Sequence, residues 1–448
     1  MNRADGTEEA PDGARPRYEQ SHPAKSEPRS GSPSHSNMNP TENLTHAATT
    51  VTDGGESMYT YDTSRDLAAY FTEIDGRKFG SQASPYLLPA DETEFWRLDK
   101  QHTAFLVGLG ELYPCPDVVE RVLAPRPGET IEVVDLGCGT GTWALSMAKR
   151  FPHAQVLGID VSPNPLNPTL LTANIRFEVE DINTGLAHYA NRFDLVHMRC
   201  VGGGLLDYTQ AITYAAQCVK PGGVLIVADL DIMLCAEDMI SSQRMATPDY
   251  PQGSWLQRYF YEFRWSYAVN GSDVLGADKV LDKGLWEQPL LHGCEAAGVY
   301  IPIGPWPKST DSAEAQRLEF GGILLRQNLR AVLRSCQTLM RKAGIPQDLL
   351  DEWVQKCDEE LDTLKIHSWL QLRMFWGQRK PTSTTSTQEA STGTSSTEVN
   401  FQPSNWVPHR QVHLYHSAEE CENARKMRMD TLGEVAKPVA LNLAGSDK

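Results

Sequence analysis

The chain has 448 residues, 40% of them hydrophobic and 22% charged, with a formal net charge of −17. That is enough apolar material for one large domain or two ordinary ones. The acidic balance argues against non-specific binding to nucleic acid or to acidic membranes, both of which need a basic face. The N-terminal MNRADGTEEAPDGARPR has no apolar core and does not read as a secretory signal. The longest apolar runs, such as GGVLIVADL, are strand-sized, so no membrane span is expected. Nine scattered cysteines without a C-x-x-C pair read as reduced thiols of the cytosol or nucleus.

Residues 1–57 are rich in Ser, Pro, Asn, Thr and charge and read as a disordered tail. The foldable region is 58–379, with a core at about 95–235 and substrate or lid elements over 236–379. In that core, IEVVDLG is an apolar strand ending in a glycine loop, and TWALSMAKRFP is a helix stopped by Pro152. QVLGIDVS, NIRFEVEDI and FDLVHMRC read as three further strands. DYTQAITYAAQCVKPGG is a helix ended at Pro221–Gly222, and VLIVADLD is a fifth strand. VYIPIGPW and HSWLQLRMFWGQ read as the last two strands, separated by two amphipathic helices. A low-complexity linker follows over 380–402, and 403–448 reads as a poorly ordered C-terminal tail. Strands alternating with helices predict a mostly parallel sheet covered on both faces.

Ligands in such sheets bind beyond the carboxyl ends of the strands. Those ends carry Asp135 with its glycines, Asp160, Asp181 with Ile182, Arg199, and Asp229 with Asp231. The loop DLGCGTGTW, residues 135–143, is alone compatible with a plain tight turn. Asp160 at the end of the next strand stands where an acid takes the ribose hydroxyls of an adenosine ligand. EVEDI adds an acceptor for an adenine amino group and an apolar wall for its ring. The dinucleotide rule wants its third glycine where Thr142 stands, and the loop has no lysine and no G-x-x-x-x-G-K-[ST]. An acidic entry suits a ligand carrying an ammonium and a sulfonium in place of phosphates, which is S-adenosylmethionine.

VVDLGCGTGTWALSMAKRFP followed by VLGIDVSP resembles the first motifs of class I S-adenosylmethionine-dependent methyltransferases, and FDLVHMRC and KPGGVLIVAD resemble their fourth- and fifth-strand motifs. YLLPADETEFWRLDKQH, FDLVHMRCVGGGLLDY and HSWLQLRMFWGQRKP narrow the resemblance to the fungal LaeA-like group, from about Tyr86 to Pro381. The resemblance implies a Rossmann-like, seven-stranded, mostly parallel α/β sheet with helices on both faces and a helical lid or insert. It implies that Asp135, Gly137, Cys138, Gly139 and Gly141 hold the methionine end of the cofactor. Asp160, with Val161 beside it, would bind the ribose, and Asp181 and Ile182 the adenine. Arg199 or its neighbours would face the sulfonium, with Cys200 standing where the group has Asn.

In RLDKQH, which contains Arg97, Asp99 and His102, the resemblance implies the helix that folds over the cofactor. His102 is the candidate for a catalytic role, against the plain alternative of a hydrogen-bonded helix histidine. His197 lies within a strand and reads as a paired core histidine. Trp255, Tyr259, Phe263 and Tyr267 recur at four-residue helical steps. That spacing fits a core-facing stripe, and it also fits a lid lining an acceptor pocket, with Trp255, Tyr259 and Phe263 as candidate substrate contacts. No metal site is expected. Two functions stay open: a methyltransferase acting on a small molecule of fungal secondary metabolism, in the cytoplasm, or a nuclear LaeA-like regulator of secondary metabolism and development with velvet-type partners. Neither implies direct nucleic-acid or membrane binding.

Overall fold

The computed structural model describes residues 70–81, 85–381, 404–432 and 438–440. The expected tail 1–57 lies outside the described residues, as does the expected linker from residue 382 onward. The described chain opens with a hairpin, β1 (Phe71–Ile74) and β2 (Arg77–Gly80). It turns at Asp75 and Gly76, with φ of 53° and 74°, as a two-residue hairpin turn requires. Helix α1 (Glu92–Leu109) starts at Asp91, whose carboxylate accepts the Glu94 N–H at 3.0 Å, and stops at left-handed Gly110.

Helix α2 (Pro116–Val122) leads into the parallel core. It runs β3 (Ile131–Leu136), α3 (Thr142–Arg150), β4 (Ala154–Asp160), β5 (Ile175–Val179), β6 (Phe193–Arg199), α4 (Tyr208–Cys218) and β7 (Val219–Cys235). Helices α5 (Trp255–Val269) and α6 (Val274–Lys283) precede β8 (Leu291–Pro302). Then come α7 (Ser312–Ser335), α8 (Gln337–Lys342), α9 (Gln347–Thr363) and β9 (Trp369–Arg379). A last strand, β10 (Val412–Tyr415), and a last helix, α10 (Ala418–Thr431), complete the described fold.

The strand order is β10-β8-β9-β7-β6-β3-β4-β5. Strands β5, β4, β3, β6 and β7 are mutually parallel, and β9 runs antiparallel between β7 and β8. This is the expected sheet of a class I methyltransferase, α/β and Rossmann-like. Parallel strands such as β6, buried at six of seven positions, carry helices on both faces. One core joins the sheet to α2, α3, α5 and α7 to α9; the other joins it to α4 and α6.

Three expectations are corrected. The sheet has eight strands, not seven, because residues 412–415 pair antiparallel with β8, Val412 opposite Val299 and Tyr415 opposite Ala296. Residues 404–432 are therefore not a poorly ordered tail. Their stability comes from ladder bonds at a sheet edge and from arginines that reach distant acids, neither of which leaves a local apolar pattern. Helix α4 also ends at Cys218, short of Pro221, because a proline disfavours helical backbone in the residue before it.

Candidate functional site

The chain crosses from β5 back past β3 to reach β6, so the loops after β3 and β6 diverge and leave a crevice at their carboxyl ends. A cleft opens there. It is lined by Asp135, Gly137, Cys138, Gly139, Asp160, Val161, Asp181, Ile182 and Arg199, all singled out from sequence. Gly141 is the exception: it does not line the cleft. It sits at the start of α3 with φ 74°, where a Cβ would meet Asn164 Nδ2 at 2.4 Å and the Phe177 ring at 2.6 Å. Its smallness serves packing against β5.

The loop is held from below and from the side. Gly137 and Cys138 donate their N–H groups to the Ile159 carbonyl at 2.8 and 2.9 Å. Asp160 accepts from the Gly139 N–H at 2.8 Å and the Ser162 N–H at 3.0 Å. Burial pushes the Asp160 carboxyl up. Asp99 on α1 accepts from both Thr140 and Thr142 hydroxyls, at 2.8 and 2.7 Å. The RLDKQH segment thus clamps the glycine loop from the middle of α1, and Leu98, Gln101 and His102 form that wall of the cleft. Asp135 is buried and pairs with His197 Nδ1 at 2.7 Å, and the His197 ring stacks on Trp143 at 3.7 Å. His197 is a paired core residue.

His102 is given a task other than acid–base chemistry. Arg199 Nη2 donates to His102 Nδ1 at 3.0 Å. Burial, then the charges of Arg199 and His197, push the imidazole down to about 3. A neutral ring whose lone pair already takes an arginine proton is a poor base near neutrality. It orients Arg199 instead.

A second cavity adjoins the cleft. The two share Tyr86, Leu98, Gln101 and Cys200 as common walls. Phe260, Phe263 and Tyr267 of α5, Leu281 of α6 and Leu329 of α7 make the second cavity mostly apolar. Phe263 is where the sequence placed it; Trp255 and Tyr259 are not. Tyr259 is fully buried and donates to the Leu333 carbonyl at 2.6 Å, and Trp255 packs under Lys356 of α9, whose Nζ lies 4.5 Å from its ring centre. Four-residue steps overrun a 3.6-residue turn by about 40° each, so the stripe winds from the helical insert towards the cavity. Cys200 stands beside Arg199 as the sequence suggested, whereas Tyr86, Leu98 and Gln101 escaped the sequence reading as cavity walls. For Leu98 and Gln101 the signal was present, since both lie in the quoted RLDKQH region.

The cleft fits a cationic adenosine ligand. Its acids are Asp135, Asp160, Glu180 and Asp181, it has no lysine, and its arginine is turned to His102. A pyrophosphate would meet these carboxylates with no free cation. Two of the left-handed glycines leave no room for a side chain: a Cβ on Gly137 would stand 2.3 Å from Val201, and one on Gly141 2.4 Å from Asn164. Among the described residues no group of His, Cys, Asp or Glu is arranged to hold a metal, and no helix is long and apolar enough to cross a membrane.

Fold and cleft together define a methyltransferase domain, and residues 110–270 match the family described as "Methyltransferase domain". The chain is 30% identical over 281 residues to the secondary metabolism regulator laeA of Coprinopsis cinerea, covering 62% of this chain and 66% of that one. It is 30% identical over 313 residues to the secondary metabolism regulator laeA of Aspergillus fumisynnematus, covering 68% and 76%. It is 32% identical over 151 residues to the methyltransferase str2 of Strobilurus tenacellus, covering 34% and 51%. The chain belongs to the LaeA-like family of class I S-adenosylmethionine-dependent methyltransferases. It spans 66% and 51% of the length of the Coprinopsis and Strobilurus relatives.

Proposed function

We propose that the chain is a working methyltransferase that takes a methyl group from S-adenosylmethionine and places it on a small molecule of fungal secondary metabolism. The observation that carries this is the adjacency of two cavities: an acidic, glycine-floored cleft that shares Tyr86, Leu98, Gln101 and Cys200 as walls with a mostly apolar chamber. Bound in the cleft, the cofactor supplies an electrophilic methyl carbon on a sulfonium that leaves as a neutral thioether.

The chain's own residues align and enclose. Asp160 would bind the ribose hydroxyls, Asp181 and Ile182 the adenine, and Asp135 with residues 137–139 the methionine end. Helix α1 closes the top and keeps water from the cavity junction. Holding two reactants in line can account for ~7–11 kcal/mol of a barrier. The soluble locations compatible with this role are the cytosol and the nucleus.

Calorimetric titration with S-adenosylmethionine tests the cleft. Asp160→Ala removes the ribose acceptor, and Gly139→Arg fills the cleft; both are expected to abolish measurable binding. Unchanged binding in both variants would sink the reading. A second reading has its own support, since two relatives aligned over most of this chain are named as secondary metabolism regulators. In that reading the same core acts in the nucleus with a velvet-type protein partner. Incubating cell extract with methyl-labelled cofactor separates the two: label in the small-molecule fraction supports the pathway enzyme, and velvet-partner binding without such label supports the regulator.

A further inference from the structure

Asp229 lies within β7, one residue past the last pairing of that strand with β6, at the wall of the second cavity with Cys200 and Gly202. Its carboxylate accepts from the Tyr208 hydroxyl at 3.1 Å, the Gly202 N–H at 3.2 Å and the Leu230 N–H at 2.8 Å. Among the described residues no cation pairs with it, and this is unusual. Asp229 is half-buried, and an acid drawn even partly out of water is ordinarily offset by a base, because an uncompensated charge is expensive to desolvate. The neighbouring Asp231 shows the ordinary solution, with Arg428 at 3.4 Å and Arg425 at 3.9 Å.

The other charged groups around the cavity are already committed. Arg97 of α1 pairs with Glu94 and donates to Gln101 at 2.6 Å. Arg264 of α5 pairs with Asp278 of α6. Among the charged groups lining this cavity the open valence therefore belongs to Asp229, and the rest of the chamber offers Phe260, Phe263, Leu281 and Leu329.

We propose that Asp229 is the acceptor-side anchor and proton acceptor of this site, and that the acceptor is an apolar, ring-sized molecule whose methylated atom carries a proton, as a hydroxyl or an amine. This rests on the methyltransferase reading above. The acceptor's O–H or N–H donates to an Asp229 oxygen and its apolar body lies among the α5, α6 and α7 side chains. As the acceptor atom bonds the methyl carbon and the sulfur–methyl bond breaks, its electron pair leaving with the neutral thioether, the acceptor's proton passes to the Asp229 oxygen, the carboxylate becomes a carboxyl, and the electron pair of the broken O–H or N–H bond stays on the acceptor atom. Burial holds Asp229 up to about 6, which is where a base working near neutrality performs best. Opposite Asp229 on β9 stands buried Arg373, which donates to the Leu281 carbonyl at 3.1 Å and forms no ion pair with Asp229. Burial pushes the Cys200 thiol up to about 12 and raises the Tyr208, Tyr86 and Tyr267 hydroxyls.

The test uses the full chain saturated with S-adenosylhomocysteine and a matched pair of probes, 2-naphthol and 2-methoxynaphthalene, which share an apolar body and differ in the donor. Donation to a charged acceptor predicts that 2-naphthol binds ~10-fold or more tightly than the ether at about pH 8. The preference should shrink to about twofold at about pH 5, once Asp229 is protonated. In Asp229→Asn the preference should be small and flat with pH. Equal binding of the two probes at both pH values, or binding of neither probe, overturns the proposal. If S-adenosylhomocysteine binds and the preference is missing, the anchor fails and the methyltransferase reading stands. If the preference is present and S-adenosylhomocysteine does not bind, the methyltransferase reading fails and the acid-anchored chamber stands.

Discussion

Single residues of the glycine loop carry two separable burdens. Gly137 has φ 74°, and an added Cβ would stand 2.3 Å from Val201 Cγ1. Gly137→Ala combines left-handed strain with a clash and should cost ~2–4 kcal/mol, read as a lowered thermal midpoint. A midpoint unchanged from wild type would refute this account of the turn. Asp99 acts differently, because its carboxylate lies outside the sheet and grips the Thr140 and Thr142 hydroxyls from α1. Asp99→Ala should leave the fold intact and weaken cofactor binding by roughly 10-fold or more, the worth of hydrogen bonds to a charged group. Equal calorimetric affinities for variant and wild type would show that α1 does not order the loop.

Between elements, buried acids tie distant segments together. Glu360 of α9 accepts from the Ser254 hydroxyl at 2.7 Å and the Trp255 and Leu256 N–H groups at 2.6 and 3.2 Å, so one helix caps the start of another, α5. Glu360→Ala should cost ~1–3 kcal/mol in chemical denaturation, since it orphans buried donors. It should also loosen the α5 wall of the acceptor chamber. Asp231 of β7 receives Arg425 and Arg428 from α10, and those cations hold its carboxyl below the usual range despite burial. A depressed acid stabilises the fold above the unfolded-state value, and that contribution is lost as pH falls through the folded-state one. Arg428→Met leaves part of that charge uncompensated and should cost ~3–5 kcal/mol at neutral pH. The difference from wild type should narrow in acid, and a gap that widens below pH ~4 would contradict the pairing.

For the whole molecule, residues 404–432 close an edge. Without β10, the inner edge strand β8 would present unpaired N–H and C=O groups to other chains, and Asp231 would lose both arginines. A chain ended after Pro381 should therefore self-associate, seen as increased light scattering at concentrations where the full chain is clear. A clear, monodisperse truncated chain would show that the edge needs no cover. The same segment reaches the second cavity, since Arg425 also pairs with Asp278, which lines it, and Asp282 of α6 at 3.0 and 2.6 Å.

The cofactor cleft was legible in the chain because its chemistry is local. Asp135, Asp160 and Asp181 each stand at the end of an apolar run, and a parallel sheet brings all such ends to one side. The aromatic stripe was legible as a helix, but its use was not. The rotation of α5 decides that Tyr259 meets Leu333 while Phe263 meets the chamber, and this rotation is set by α7, α8 and α9, far away in sequence. His102 and Arg199 were each visible; that they satisfy one another across the cleft was not. By itself the sequence determined which kind of ligand the cleft accepts, because loop geometry and carboxylates at strand ends are properties of short segments. The tertiary structure alone decided the second chamber, the unpaired Asp229 and the eighth strand, because each depends on packing between segments that no periodicity connects.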